Sequence, residues 1–115
     1  MKENLIQTRT FNFSLASIQL YRLLTEEKEY IISKQLLRAA TSIGANVVEA
    51  EAAQSKADFI AKMSIASKEA RETRYWLQLL DKSNFTKHDL KMNLNEVDEI
   101  IKIITSIVKT SRERS

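Results

Sequence analysis

The sequence predicts an all-α protein, an antiparallel up-and-down four-helix bundle, and three observations carry that prediction. Among 115 residues there is one glycine, Gly44, and no proline, so the tight turns on which hairpin-rich β folds depend lack the residues they need. Apolar residues recur at three- and four-residue steps through four long segments. The polar stretches between those segments are short, and short connections place consecutive helices antiparallel. A chain of this length suits one domain, residues 1–115, which would bury about two-thirds of the surface of its unfolded form.

The first helix is expected over about residues 4–24, with Phe11, Leu15, Ile18 and Leu23 as its apolar stripe and Leu20 and Tyr21 widening it. Polar Thr25 to Glu29 ends it. The second, over about 30–54, places Ile32, Leu36, Ala39, Ala40, Ile43, Val47 and Ala50 on one broad face that must be buried. Gly44 disfavours a helix interior by about 1 kcal/mol relative to alanine, which fits either a close approach by a neighbouring helix or a tolerated glycine.

Ser55 is positioned to cap a third helix over about 56–82, its hydroxyl accepting from the backbone N–H of Asp58, whose carboxylate also suits the positive first turn. The stripe there is Phe59, Met63, Ala66, Ala70, Leu77 and Leu80, flanked by Ile65 and Trp76. Thr86 and Asp89 resemble a capping box and predict a fourth helix over about 87–111. In it Leu90, Leu94, Val97, Ile101, Ile104 and Val108 form a heptad seam that Ile100, Ile103 and Ile107 broaden.

Cysteine is absent, which removes disulfides, thiolate metal sites and a cysteine nucleophile together and fits a reducing compartment, the cytoplasm. No apolar run approaches the roughly 20 residues of a membrane span, and Met1 to Thr10 lack a signal-peptide layout, so a soluble, unsecreted protein without a membrane partner is expected. A formal net charge of +3 permits binding to nucleic acid without requiring it.

Residues able to carry chemistry are few. A di-iron bundle needs a Glu-x-x-His motif on each of two helices, and His88 is the chain's one histidine; an exposed structural role is expected for it. Glu69 and Glu72, like Glu96 and Glu99, form E-x-x-E pairs, and the first pair borders the apolar face beside Trp76 and Ile65, which points to an ion pair or hydrogen-bond network with another helix. Helix two offers the partner: Gln35, Arg38, Ser42, Asn46 and Glu49 form one polar ridge, either a solvated face or a packed polar seam. The seam is the favoured reading, with Arg38 paired to Glu69 or Glu72, within a subunit or across an interface, and Ser42, Asn46 and Glu49 completing the network. There is no nucleophile–base pair, phosphate-cradling glycine loop or metal-ligand set, so no catalytic residue, cofactor or metal is expected.

The candidate nucleic-acid-binding residues are Lys68, Arg71 and Arg74, three apart on helix three, with Lys56 and Lys62 on the same helix. Lys109, Arg112 and Arg114 make a basic C-terminus. Convergent cations of this kind bind phosphates without reading sequence.

At helix two the run Gln35-Leu-Leu-Arg38-Ala-Ala-Thr-Ser42-Ile43-Gly44-Ala-Asn46-Val-Val-Glu49-Ala50 resembles the signature of the bacterial four-helix-bundle proteins called 23S rRNA intervening-sequence proteins. In helix three Asp58-Phe59, Ile65-Ala66, Glu69, Glu72, Thr73 and Tyr75-Trp76-Leu77 are similar to the family's second block. One common form ends the first block in glutamate-glycine, where this chain has Glu49-Ala50. The family is named after reading frames inside 23S rRNA genes, a location and not an activity. The related accessory variability proteins of diversity-generating retroelements form basic homopentameric barrels that engage a reverse transcriptase and nucleic acid. The resemblance therefore implies a homopentamer, with RNA or DNA and a reverse transcriptase as partners, and implies that Arg38, Ser42, Asn46, Glu49, Glu69, Glu72 and Trp76 are shared architecture. The expected function is non-catalytic binding of RNA or DNA through a repeated basic surface; the competing reading is a protein-interaction module whose charge is incidental.

Overall fold

The structure, a computed structural model, describes residues 2–114. Four helices follow one another, α1 (Lys2–Glu26), α2 (Ile32–Glu51), α3 (Lys56–Ser83) and α4 (Lys91–Glu113), with no strand among the described residues. Each packs on two neighbours, α1 and α3 both on α2 and α4, so the core lies between two separated diagonals. The molecule measures 47 × 20 × 20 Å, close to the ~42 Å expected for the 28 residues of α3 at 1.5 Å each.

The inward residues of α2, α3 and α4 largely follow the apolar periodicity. Leu36, Ala40, Ile43, Val47 and Ala50 of α2 join Met63, Ala66, Ala70, Leu77 and Leu80 of α3 and Val97, Ile100, Ile101, Ile104 and Ile107 of α4 in one buried cluster, and Ala39 is buried as well. Leu94 and Val108 of the expected heptad seam are only partly buried against this cluster.

Helix α1 is rotated from the expected orientation. Its buried residues are Ile6, Thr10, Phe13, Ser17, Leu20 and Leu24, whereas Phe11 is 64% exposed and Leu15 50%. Two polar residues on the inward face hide it from a count of apolar positions. Their cost is removed locally, because the Thr10 hydroxyl donates to the Ile6 carbonyl at 2.7 Å and the Ser17 hydroxyl to that of Phe13 at 2.8 Å, leaving no unsatisfied polar group. Thr73 in α3 does the same with Glu69 at 2.8 Å.

The α1–α2 corner is built by two motifs that meet. Lys28 adopts a left-handed φ of 67°, its N–H bonds the Thr25 carbonyl at 2.9 Å, and the Glu29 N–H bonds that of Leu24 at 2.9 Å; this is a Schellman termination with lysine where glycine is usual. The turn aims the buried Glu29 carboxylate at the start of α2, where it accepts from the backbone N–H groups of Ile31, Ile32 and Ser33 at 3.1, 3.0 and 2.5 Å. An anion there satisfies orphan donors and meets the positive end of the helix dipole. Helix α2 therefore starts at Ile32 instead of 30, and at its other end it stops at Glu51 instead of 54.

Ser55 caps α3 as its position predicts, accepting from the Asp58 N–H at 3.0 Å, and Asn84 ends that helix in the left-handed conformation, φ 55°. The α4 start differs from expectation. The Thr86 hydroxyl donates to Glu27 at 2.7 Å and accepts from the His88 N–H at 3.1 Å, while Asp89 accepts from the Lys91 N–H at 2.9 Å. Thr86 and Asp89 are thus engaged separately, no capping box closes between them, and α4 begins at Lys91 instead of 87. His88, expected to be exposed, is half-buried with Nε2 4.0 Å from the Glu27 carboxylate.

Gly44 faces α1. A Cβ built there would lie 3.4 Å from the carbonyl and hydroxyl oxygens of Thr10 and 3.5 Å from the Ser14 hydroxyl, an ordinary contact, so the two helices approach closely without requiring glycine.

Candidate nucleic-acid interface

The antiparallel packing of α2 on α3 brings Arg38 opposite Glu69 and Glu72. Its guanidinium donates to Glu69 at 3.4 Å and forms a second ion pair with Glu72. The Trp76 indole N–H donates to the same Glu72 oxygen at 3.0 Å. These bonds, the indole's first, hold the Glu72 carboxyl below the usual carboxylate range, and the bond to Glu72 raises the Arg38 guanidinium further. Tyr75 then packs edge-to-face on Trp76, ring centres 5.1 Å apart at 70°. A chain of contacts thus runs from α2 to an aromatic ring on the outside of α3.

The other members of the ridge are not joined to this chain. The Asn46 amide donates to the carbonyl and hydroxyl of Ser42 at 2.8 and 3.2 Å, within α2, and Glu49 pairs with Lys62 at 3.0 Å. The ridge is three local clusters: Arg38 and Glu49 meet different turns of α3, and the Ser42–Asn46 pair closes within α2.

The five basic positions expected to bind nucleic acid divide similarly. Lys62 is tied to Glu49, Arg74 pairs with Asp98 of α4 at 3.2 Å, and the Lys56 ammonium donates to the Arg114 carbonyl at 2.8 Å. Lys68 and Arg71 are exposed.

Arg71 has company that the linear sequence separates from it by more than thirty positions. It borders a cleft of about 410 Å³ between α3 and α4, whose other basic walls are Lys109 and Arg112. Ser64 and Ser67 from α3 and Thr105 from α4 add hydroxyls, and Val108 and Glu113 of α4 complete the lining. Among the described residues no carboxylate lies within ion-pairing distance of Arg71, Lys109 or Arg112. Three cations with hydroxyl donors between them suit an anion with several acceptor oxygens, such as a phosphodiester.

Two further residues extend this surface. Tyr75 and Lys82 follow Arg71 at +4 and +11, on the same side of the helix, and both are exposed. The i, i+3, i+7 series Lys68, Arg71, Tyr75 was visible in the sequence. The addition of Lys109 and Arg112 was not, since it depends on how α4 is set against α3.

Among the described residues no three His, Cys, Asp or Glu side chains are grouped to hold a metal ion, and no helix is long and apolar enough to cross a membrane. Fold and surface together define a small antiparallel helical bundle with a cleft bordered by three cations and three hydroxyls. The chain belongs to the 23S rRNA-intervening sequence protein family, whose model matches residues 2–106. It is also similar to a crystal structure of a protein of unknown function from the S23 ribosomal protein family of Bacteroides thetaiotaomicron VPI-5482. The two are 47% identical with a TM-score of 0.90, over 95% of this chain and 99% of that one. No curated protein matches the chain.

Proposed function

We propose that this protein is a non-catalytic, self-associating bundle that binds RNA or DNA through the basic surface of α3 and α4. The observation that carries the reading is the convergence of Arg71, Lys109 and Arg112 on one cleft, where among the described residues no carboxylate lies within ion-pairing distance of any of the three. Cations neutralised within the fold have little charge left for a ligand, whereas these three keep theirs, and phosphate contacts account for most sequence-independent affinity. A family named for rRNA insertions fits an RNA ligand, and a cytoplasmic site of action follows from that ligand.

Self-association is supported by the apolar side chains that α1 and α2 leave outside the core. Phe11 and Leu15 on α1 and Val48 on α2 are all at least half exposed, and Phe11 and Val48 border one shallow groove. The resemblance sets the expected ring at five subunits, and a ring repeats the basic cleft so that several copies engage one polymer. A reverse transcriptase partner rests on the resemblance alone.

Fluorescence anisotropy with labelled RNA and DNA at low and moderate salt tests the binding. Micromolar affinity that weakens steeply with salt is expected; no binding at micromolar protein would overturn the reading, and recovery of a protein partner after nuclease treatment in that case would favour an interaction module.

A further inference from the structure

We propose that the outer stripe of α3 is a track for single-stranded nucleic acid, with Tyr75 as the platform on which a base stacks and the Arg71–Lys109–Arg112 cleft as the seat of the adjacent phosphate. This rests on the nucleic-acid reading above and adds which form of nucleic acid is bound.

Tyr75 is 56% exposed, yet its ring is not left to rotate at will. It packs edge-to-face on Trp76, whose indole is bonded to Glu72, which Arg38 holds from the neighbouring helix. An exposed aromatic already ordered by its supports loses little entropy when a flat ligand lies on it. Beyond Tyr75, a shallow depression of about 200 Å³ is bordered by Gln78, Leu79 and Lys82. Its apolar floor with an amide and an ammonium at the edge fits a heteroaromatic ring with polar rim atoms.

Arg71 lies one helical turn before Tyr75, about 6 Å along the axis, so a base on the ring and a phosphate in the cleft can belong to neighbouring positions of one strand. Lys68 and Lys82 continue positive charge at either end of the stripe. A duplex keeps its base faces inside the stack and offers this surface phosphates, sugars and groove edges, with no ring face to lie on Tyr75. A single strand offers both, and base-on-aromatic stacking is a sequence-tolerant source of affinity.

The test is anisotropy on the full chain with an unstructured pyrimidine strand of about 12 nucleotides and a blunt duplex of the same length. The single strand is expected to bind more tightly. Tyr75→Ala should weaken single-strand binding roughly tenfold, with duplex binding and the salt dependence unchanged, while Tyr75→Trp retains the affinity. Binding should also perturb the fluorescence of Trp76, the chain's one tryptophan. Equal affinity for strand and duplex together with no effect of Tyr75→Ala would overturn the track while leaving the basic surface in place. A Tyr75→Ala variant that alters oligomer size but not binding would reassign the ring to a subunit contact. No salt-sensitive binding to either probe would remove both readings.

Discussion

Arg38 of α2 and Trp76 of α3 converge on one oxygen of Glu72, the guanidinium as an ion pair and the indole by a 3.0 Å hydrogen bond. One carboxylate therefore both ties two helices and fixes the orientation of the aromatic pair on the outer face. Because Arg38 is half exposed, the ion pair itself contributes little stability, and the bond to the indole is the larger part.

Replacing Glu72 with alanine should lower stability by about 1–2 kcal/mol, mainly through the lost bond to Trp76. Chemical denaturation followed by Trp76 fluorescence would measure it, and the native emission should shift to the red. Arg38→Met alone should cost less than about 1 kcal/mol.

The same carboxylate predicts an acid limb. The pKa of Glu72 is lowered from the ordinary 4.5, first by Trp76 and then by Arg38, and that of Glu27 is lowered first by the Thr86 hydroxyl. A depressed folded value means the unfolded chain takes up protons first, so these contributions are full above about pH 4.5 and disappear as pH falls through the lower folded values. Glu72→Gln should flatten the fall in thermal midpoint below that pH, and an unchanged profile would contradict the assignment.

At the α1–α2 corner the backbone makes opposite predictions for adjacent residues. Lys28→Gly should stabilise by about 0.5–1 kcal/mol, since glycine accepts the left-handed conformation that lysine adopts under strain. Glu29→Ala should destabilise by about 1–2 kcal/mol, because it leaves the N–H groups at the start of α2 without their anion. Urea midpoints of the two variants should move in opposite directions.

Helix α1 supplies a paired test of its orientation. Phe13 is 3% exposed and Phe11 64%, so Phe13→Ala should cost about 3–5 kcal/mol and Phe11→Ser little in the subunit itself. If the outward side chains mediate self-association, Phe11→Ser with Leu15→Ser should reduce the particle mass seen by light scattering while helical content is retained.

Among the basic residues, the ion pairs predict a ranking. Arg71→Ala should lower the salt slope of nucleic-acid binding by about one. Arg74→Ala should lower it less, since its charge is already paired with Asp98. Anisotropy across a salt series separates them, and equal slopes for both variants would mean that the cleft is not privileged.

The sequence by itself determined four helices and much of their inward faces. Without proline, and with one glycine, the chain has little means to form anything else, and in α2 and α4 burying the apolar stripe fixes the rotation of the helix. The Ser55 cap was legible because it is local. The inward face of α1 was not: its apolar residues lie on two sides, and Thr10 and Ser17 enter the core by bonding their own backbone, which spacing does not reveal. Nor were the partners of the charged residues. Arg38 could be assigned to Glu69 or Glu72 from the apolar surface each borders, but Arg71, Lys109 and Arg112 meet only because α4 is set antiparallel on α3 at one axial stagger. That stagger is fixed by packed side chains and by the 84–90 connection, so it belongs to the assembled bundle and to no single segment of the chain.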